Sequence, residues 1–304
     1  NHQRSYRKLR MKTLRLKSLS SFLSDIKSDW DSILRDELVR KGYDPSSVTN
    51  QTDLACSYSS IKARRIQSKP RTVILSSTFS IPQDLRTGFE QLKSKIENGD
   101  DINPYLSKSV FKLQKDDLMF YDWGIHHFHL GEYIEPDGFI KRTGLLAFGI
   151  VRPDSIYFIS IEAHGAWSDK SLIEIVDRDW PELISSHRFN GGIEPNLTDE
   201  ELGILRKAHV NTGIQLSNGH SYIILGGGYT SAGTSMEAMR NVTMVNHRFI
   251  DLYKDLEKAT IKVSDGIPVE EFEVRIKRIN DEIFAYSPIL EWQIKFMNFL
   301  PLPT

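Results

Sequence analysis

The chain has 304 residues, of which 39% are hydrophobic and 26% are charged, and its net charge is −1 at pH 7. This composition is that of a globular protein with room for about two domains of roughly 150 residues each, and it excludes fibrous and wholly disordered chains. The single cysteine, Cys56, excludes an internal disulfide and a cysteine metal cluster, and it favours the reducing cytoplasm.

The charge is unevenly distributed along the chain. Residues 1–72 contain 16 Lys or Arg and 7 Asp or Glu, so the remainder carries the negative balance. We expect a basic helical N-terminal arm that contacts nucleic acid, and a solvated or disordered arm is the alternative. The candidate nucleic-acid contacts are Arg7, Lys8, Arg10, Arg64 and Arg65.

The apolar pattern predicts neither a membrane-spanning helix nor a secretory signal. No apolar run approaches the ~20 residues that a membrane-spanning helix needs. Residues 1–17 are basic, but no hydrophobic run follows them, so they do not resemble a secretory signal.

The first third of the chain has clear start and stop signals. Apolar residues at helical spacing predict a helix from about residue 19 to Gly42. Residues 45–70 are polar and rich in Ser and Thr, which predicts a linker or a long loop. Thr72–Leu75 predicts a short strand, and the following helix should run from Pro82 to Gly99.

Three strands are predicted in the middle of the chain. They lie at about 121–131, 143–151 and 155–163, and the last two are joined by the tight turn Arg152-Pro153-Asp154. Farther along, Thr198 and Glu201 have the spacing of a capping box that starts a helix.

The last third begins with a hairpin and ends with helices. Asn218-Gly219 predicts the hairpin turn, and we interpret the glycines at 226–228 as a turn from strand to helix. A phosphate cradle is the alternative for those glycines, but the lysine of a P-loop is missing. Helices at about 235–259 and 268–286 should pack as an antiparallel pair that forms core or a homodimer interface.

Together these elements predict an α+β fold. It consists of a small antiparallel sheet with flanking helices, the basic helical arm and a C-terminal helical hairpin. Three regions are expected. They are 1–69, the basic arm and linker; 70–190, an α+β core with the candidate active site; and 191–304, the hairpin and helical C-terminal region.

The strand at about 123–130 contains three histidines, which makes it the centre of any chemistry. Alternate side chains of a strand share a face, so His127 and His129 point to the same side. His126 points to the other side with Phe128, and we interpret it as a hydrogen-bonded core residue. His127 and His129 can bind a metal, or can act together on a phosphate as base and cation.

The third strand has a polar face that matches this pair. If the three strands form a meander, its side chains converge with those of the histidine strand, whereas exposure on an open sheet face is the alternative. The candidate catalytic residues are His127, His129, Arg142, Glu162 and His164.

Such a set of side chains can cleave RNA without a metal. One group takes the proton of the 2′-hydroxyl, an arginine stabilises the charged phosphorane, and an acid protonates the leaving 5′-oxygen. Histidine suits both proton transfers because its pKa lies near neutrality. The alternative is a hydrolase or phosphoesterase in which His127, His129 and His164 bind a divalent metal.

Residues 120–165 resemble the central sheet of RelE/HigB-type bacterial toxin ribonucleases. The resemblance is carried by the histidine strand, by Arg-Thr-Gly-Leu-Leu-Ala-Phe at 142–148 and by Ser-Ile-Tyr-Phe-Ile-Ser-Ile at 155–161. The family's last strand ends in a catalytic His or Lys, and here His164-Gly165-Ala166-Trp167 replaces its usual lysine pair. The runs DWGIHHFHLG and HGAW also resemble a widespread bacterial family, from which no activity follows.

The resemblance implies an endoribonuclease of toxin or phage-defence type that acts on RNA, often at the ribosome, without a metal or other cofactor. It implies that Arg142 binds the phosphate, that His127 or His129 is an acid or base, and that His164 takes the position at the end of the last strand. The basic residues named above would contact the RNA, and an antitoxin protein is a further expected partner. The last alternative is a non-catalytic module that binds nucleic acid or protein.

Overall fold

The computed structural model describes residues 13–194, 196–261, 269–290 and 292–303, in which helices and strands are mixed. None of the helices in these residues combines the length and the apolar character that crossing a membrane requires. The helices are α1 (Leu19–Arg40), α2 (Gln51–Arg64), α3 (Arg86–Asn98), α4 (Leu118–Trp123), α5 (Ser171–Asp179), α6 (Asp199–Lys207) and α7 (Met236–Ile261). The strands are β1 (Thr13–Leu16), β2 (Thr72–Leu75), β3 (His126–His129), β4 (Leu145–Val151), β5 (Ser155–Ala163), β6 (Arg188–Phe189), β7 (Gly213–Gln215), β8 (Ser221–Ile223), β9 (Val269–Phe272), β10 (Arg275–Ile279), β11 (Glu282–Ser287) and β12 (Trp292–Asn298).

The described chain divides into two compact units, whose boundaries differ from those of the three predicted regions. The first unit takes its residues from 13–37, 48–54 and 242–301. The second takes its residues from 38–47, 55–241 and 302–303. Arg7, Lys8 and Arg10 of the predicted basic arm lie outside the described residues.

The first unit combines two helices with two small sheets. β1 pairs in parallel with β9, and β10, β11 and β12 form an antiparallel sheet in that order. The ring of Trp30 on α1 lies 6.1 Å from that of Phe249 on α7 and 5.9 Å from that of Phe299, both edge-on. Aromatic packing therefore holds α1 and α7 to the C-terminal segment.

The predicted C-terminal helical hairpin is wrong. α7 forms as expected, but residues 275–287 form β10 and β11 instead of a second helix. Every second residue of β11 is buried, including Ile283 and Ala285, so its period is two. Asn280 adopts a φ of 53° in the two-residue turn, which asparagine tolerates. One of the two helices on which a homodimer interface was expected is therefore not formed.

A four-stranded sheet in the order β2-β5-β4-β3 forms the centre of the second unit. The predicted meander is confirmed, because β4 pairs antiparallel with both β3 and β5. β2 pairs in parallel with β5, so the sheet is mixed and not wholly antiparallel as predicted. The histidine strand β3 is an edge strand of this sheet within the described chain.

Hydrophobic side chains cover both faces of this sheet. On one face, Phe128 and Phe158 share a cluster with Phe89 of α3. On the other face, Phe148 shares a cluster with Leu172 of α5 and with side chains of α6, β7 and β8. The two layers fix the sheet from both sides, so the side chains at its ends are held in defined positions.

The linker predicted at 45–70 is wrong, because residues 51–64 form α2. Leu54, Tyr58 and Ile61 recur at helical spacing and are buried. Serines between them conceal this periodicity in the sequence.

The basic pair at the end of α2 is buried. The exposed fractions of Arg64 and Arg65 are only 3% and 8%. The guanidinium of Arg65 lies over the ring of Phe111, 4.8 Å from its centroid. Neither arginine is therefore a surface contact for RNA.

Other predicted elements are confirmed in place and type. They include α1, β2, α3 with Gly99 at its left-handed C-terminal end, β4, β5, the β7–β8 hairpin and α7. The capping box at the start of α6 is complete, since Thr198 accepts the N–H of Glu201 and the carboxylate of Glu201 accepts the N–H of Thr198.

Candidate active site

The histidine strand begins later than predicted, because a short helix precedes it. The side chain of Asp117 caps α4 by accepting the N–H of Phe120 at 3.1 Å. Gly124 ends the helix with a φ of 71°, a left-handed conformation that favours glycine. Trp123 is therefore the last residue of the helix, and β3 starts at His126.

The glycine-rich stretch after β8 holds this junction. The N–H of Gly226 donates to the carbonyl of Asp122 at 2.6 Å, and that of Gly228 donates to the carbonyl of Tyr121 at 2.7 Å. A Cβ at position 226 would lie 2.4 Å from the carbonyl oxygen of Phe120, so a larger residue does not fit. These amides are already bonded to the backbone, which supports the interpretation as a turn and disfavours a phosphate cradle.

The strand register brings the predicted polar residues to one face of the sheet. His127 lies opposite Phe148 on β4. His129 lies opposite Leu146, which in turn lies opposite Glu162 on β5. Glu162 is thus two strand spacings, about 10 Å, from His129 along the same row.

His129 is buried in a network that fixes the entry into β4. Its Nδ1 accepts the N–H of Thr143 at 3.2 Å, which puts the proton of the neutral imidazole on Nε2. The hydroxyl of Thr143 accepts the N–H of Leu130 at 3.1 Å and donates to the carbonyl of Leu145 at 2.6 Å. Since only 3% of His129 is exposed, it positions the chain beside Arg142 instead of presenting an open ring.

Arg142 stands immediately before this anchored turn and is part-buried. Its Nη1 donates to the carbonyl of Leu106 at 2.9 Å, which uses one of the five N–H donors of the guanidinium. Burial lowers the pKa of Arg142, and Asp137 and Glu135 oppose that effect. An arginine remains charged in such surroundings, so Arg142 supplies a fixed cation at the end of the sheet.

Two candidate histidines meet at Trp167, which was not predicted as a site residue. The ring of His127 lies 4.8 Å from the indole and the ring of His164 lies 5.0 Å from it, both edge-on. Phe148 supports the cluster from the sheet, 5.7 Å from Trp167. The indole therefore sets the spacing of the two imidazoles.

These groups also share an electrostatic neighbourhood. Burial lowers the pKa of His127, Asp117 opposes this, and Arg142 and His164 lower it further. Burial is likewise the main reason that the pKa of His129 falls to about 3, with further lowering by Arg142, His127 and His164. The side chain of His164 is exposed just beyond β5, and the backbone N–H of this residue donates to the carbonyl of Gly144 at 2.9 Å.

The predicted metal ligands do not form a metal site in the part of the chain that the structure describes. No group of three or more histidine, cysteine, aspartate or glutamate side chains there is arranged to hold a metal ion. The Nδ1 of His129 already accepts a backbone N–H, and Trp167 packs against both His127 and His164.

No protein-family model, curated protein or solved structure matches this chain. The likeness of residues 120–165 to toxin ribonucleases therefore stays a prediction from the sequence, and the function is inferred from the geometry of the site.

A buried ion pair, absent from the predicted site, supports Trp167. Arg206 of α6 and Asp122 of α4 are 4% and 5% exposed, and Nε of the arginine lies 2.8 Å from Oδ2 of the aspartate. The guanidinium also lies 4.3 Å above the ring of Trp123, and its Nη1 donates to the carbonyl of Trp167. Burial raises the pKa of Asp122, and Arg206 opposes that effect. One arginine thus connects α6, α4 and the residue that separates the two histidines.

His126 is buried as predicted, with its ring 4.6 Å from that of Phe120 and 6.2 Å from that of Phe128. The expected hydrogen bonds do not form, since neither ring nitrogen has a partner of normal geometry among the described residues. Burial lowers the pKa of His126 to about 4, and the carboxylate of Asp117 and the backbone of Arg64 oppose that effect.

We expect the free energy of unfolding to fall as the pH drops below about 6.5. The folded pKa values of His126 and His129 are about 4 and about 3, so below that pH the unfolded state binds protons before the folded state does. The stability that these histidines contribute is full above pH ~6.5 and is lost by about 1.4 kcal/mol per pH unit for each as the pH falls toward the folded values. Urea unfolding between about pH 5 and 8 measures this slope.

His126→Phe is the matched variant for this prediction. It keeps an aromatic ring between Phe120 and Phe128 but removes the titrating group, so the slope should fall by the contribution of one histidine, about 1.4 kcal/mol per pH unit. A slope equal to that of the wild type would contradict the burial of a neutral His126.

Proposed function

We propose that this protein is a metal-independent endoribonuclease of toxin or phage-defence type. The observation that supports the proposal is the packing of His127 and His164 against one indole, with Arg142 in the same electrostatic neighbourhood. Two proton carriers and a guanidinium are what cleavage of RNA by its own 2′-hydroxyl requires.

His127 is the proposed general base. A base must be neutral before it can accept a proton, and the burial that lowers the pKa of His127 keeps it neutral at pH 7. His164 is the proposed general acid, because its exposed position at the end of β5 lets it exchange protons with solvent between turnovers.

The proposed reaction is an internal transfer of the phosphodiester. His127 takes the proton of the 2′-hydroxyl while the 2′-oxygen attacks phosphorus. The bond from phosphorus to the 5′-oxygen breaks as His164 gives that oxygen its proton, and Arg142 binds the equatorial oxygens where negative charge accumulates. The products are a 2′,3′-cyclic phosphate and a 5′-hydroxyl.

His129 and Glu162 have different proposed roles. His129 positions Arg142 through its bond to the N–H of Thr143. Glu162 lies about 10 Å from His129 along the same row, which is too far for a hydrogen bond between the two side chains. Its proposed role is electrostatic, on the sheet face that carries His127 and His129, and it takes no part in proton transfer.

The proposed substrate lies across the open end of the sheet, where His164 is exposed. An extended polyanion can reach such an edge, and Arg7, Lys8 and Arg10 remain the proposed RNA contacts of the basic arm. RNA on cytoplasmic ribosomes is the proposed target, and an antitoxin protein is the proposed inhibitor.

Incubation of the purified chain with RNA in excess EDTA tests the proposal. We expect cleavage of free RNA, or of mRNA on translating ribosomes, with cyclic phosphate and 5′-hydroxyl ends. An RNA with a 2′-deoxy nucleotide at the cleaved position should stay intact, because the attacking hydroxyl is missing.

Two results would contradict the proposal. One is cleavage that EDTA abolishes and a divalent metal restores, which would favour a metal-dependent hydrolase. The other is intact RNA under both conditions, together with tight binding that weakens steeply with salt, which would favour a non-catalytic module.

A further inference from the structure

A small cavity lies beside the histidine strand, within the second unit. Its volume is about 10 Å³, about the space that one water molecule needs. It joins the end of α2, the start of α4 and the start of β3. The polar side chains that line it are Arg64, Ser107, Ser109, Asp117, His126 and His127.

Several polar atoms at this cavity are buried without a hydrogen-bond partner among the described residues. They are Nη1 and Nη2 of Arg64, both ring nitrogens of His126 and Nδ1 of His127. Arg64 is only 3% exposed, so its guanidinium does not reach bulk solvent. Buried polar groups are almost always hydrogen-bonded, so a small polar ligand is expected to occupy this cavity.

The charges favour a water molecule over an anion. Asp117 faces the same cavity as Arg64, and its carboxylate repels a phosphate or a sulfate. A water molecule can accept two hydrogen bonds and donate two. It can accept from Arg64 and from Nδ1 of His127, and donate to Asp117 and to a ring nitrogen of neutral His126.

We propose that one ordered water in this cavity links the carboxylate of Asp117 to Nδ1 of His127, which makes Asp117 a positioning residue for the general base. The link holds the neutral imidazole with its proton on Nδ1 and leaves Nε2 to accept the proton of the 2′-hydroxyl. The inference deepens the proposed function and rests on it for cleavage, whereas the tautomer and the water are measurable without RNA.

Charged and titratable groups face His127 from several sides. Arg142 and His164 lower its pKa, whereas Asp117 raises it. Asp117 is thus the negative group that keeps this imidazole basic in a site rich in cations. These groups are Arg64 from α2, Asp117 from the start of α4, His126 and His129 from β3, Arg142 before β4 and His164 after β5.

NMR of the whole chain carrying Asp117→Asn tests the link. Asparagine also caps helices, so α4 keeps its N-cap while the charge is lost. In the wild type, the ring-nitrogen shifts of His127 should show the proton on Nδ1. In the variant, the tautomer with the proton on Nδ1 should no longer predominate. The pKa of His127 should fall by about one unit, which is a roughly tenfold change in its protonation equilibrium.

Asp116→Asn is the matched control, since it removes the adjacent carboxylate, which does not line the cavity. It should leave the tautomer and the pKa of His127 unchanged. A crystal structure of the wild type should show a water within hydrogen-bonding distance of both Asp117 and Nδ1 of His127.

Two outcomes overturn the inference. One is an unchanged tautomer and pKa of His127 in Asp117→Asn, and the other is a phosphate or another anion in the cavity. If the wild type cleaves no RNA but the NMR changes occur, the proposed function fails and the water link stands.

Discussion

Alanine at His127 or at Arg142 should lower the rate of RNA cleavage by about 10²- to 10⁴-fold while the chain stays folded. His127→Ala removes the neutral imidazole that accepts the proton of the 2′-hydroxyl. Arg142→Ala removes the cation from the developing phosphorane, where a fixed donor stabilises the transition state more than the bound substrate. Single-turnover cleavage of a labelled RNA, beside circular dichroism of each variant, measures both effects.

The chain supplies matched controls for these two variants. His247 and Arg248 are exposed neighbours on α7, in the first unit, so His247→Ala and Arg248→Ala remove the same side-chain types from another location. Both should cleave at the wild-type rate. Wild-type rates from His127→Ala or from Arg142→Ala would contradict the assigned roles.

Arg206→Met should cost about 3–5 kcal/mol of unfolding free energy. The methionine leaves the carboxylate of Asp122 buried without its cation, and burial already raises the pKa of that carboxyl. The carbonyl of Trp167 also loses its donor, so cleavage should fall together with stability. Urea unfolding followed by tryptophan fluorescence measures the first effect.

A second change separates stability from catalysis in this prediction. Adding Asp122→Leu to Arg206→Met removes both buried charges, and well-packed apolar replacements of buried ion pairs are often as stable as the original. The double variant should therefore recover most of the lost stability. Cleavage should stay low, because Trp167 still lacks the contact that holds it. Full recovery of cleavage would contradict the role of Arg206 in placing Trp167.

Local patterns predicted most elements of the second unit correctly. The period of two along β3, β4 and β5 was enough to place His127, His129 and Glu162 on one face, because alternation fixes the direction of side chains. The parallel pairing of β2 with β5 was not predictable in the same way. It depends on packing between segments that are far apart in sequence, and no local signal records it.

The errors arose where one pattern fits two structures. Ile276, Ile279 and Ile283 have helical spacing, yet they lie on β10 and β11, where Ile276 and Ile283 are buried and Ile279 is exposed. Trp167 and Asp117 were missed as site residues because they lie outside regular strands. Their positions depend on tertiary contacts, such as the bond from Arg206 to the carbonyl of Trp167.

The order in which the chain is synthesised separates the two units in time. The second unit comes mostly from the continuous run 55–241, whereas the first needs both 13–37 and 242–301. Domains fold as units while they leave the ribosome, so the second unit can close before the partners of α1 have been made. During that interval the apolar side of α1 is not yet covered by α7 and the last strands. A growing chain can therefore bring His127, Arg142 and His164 together while its first unit is still incomplete.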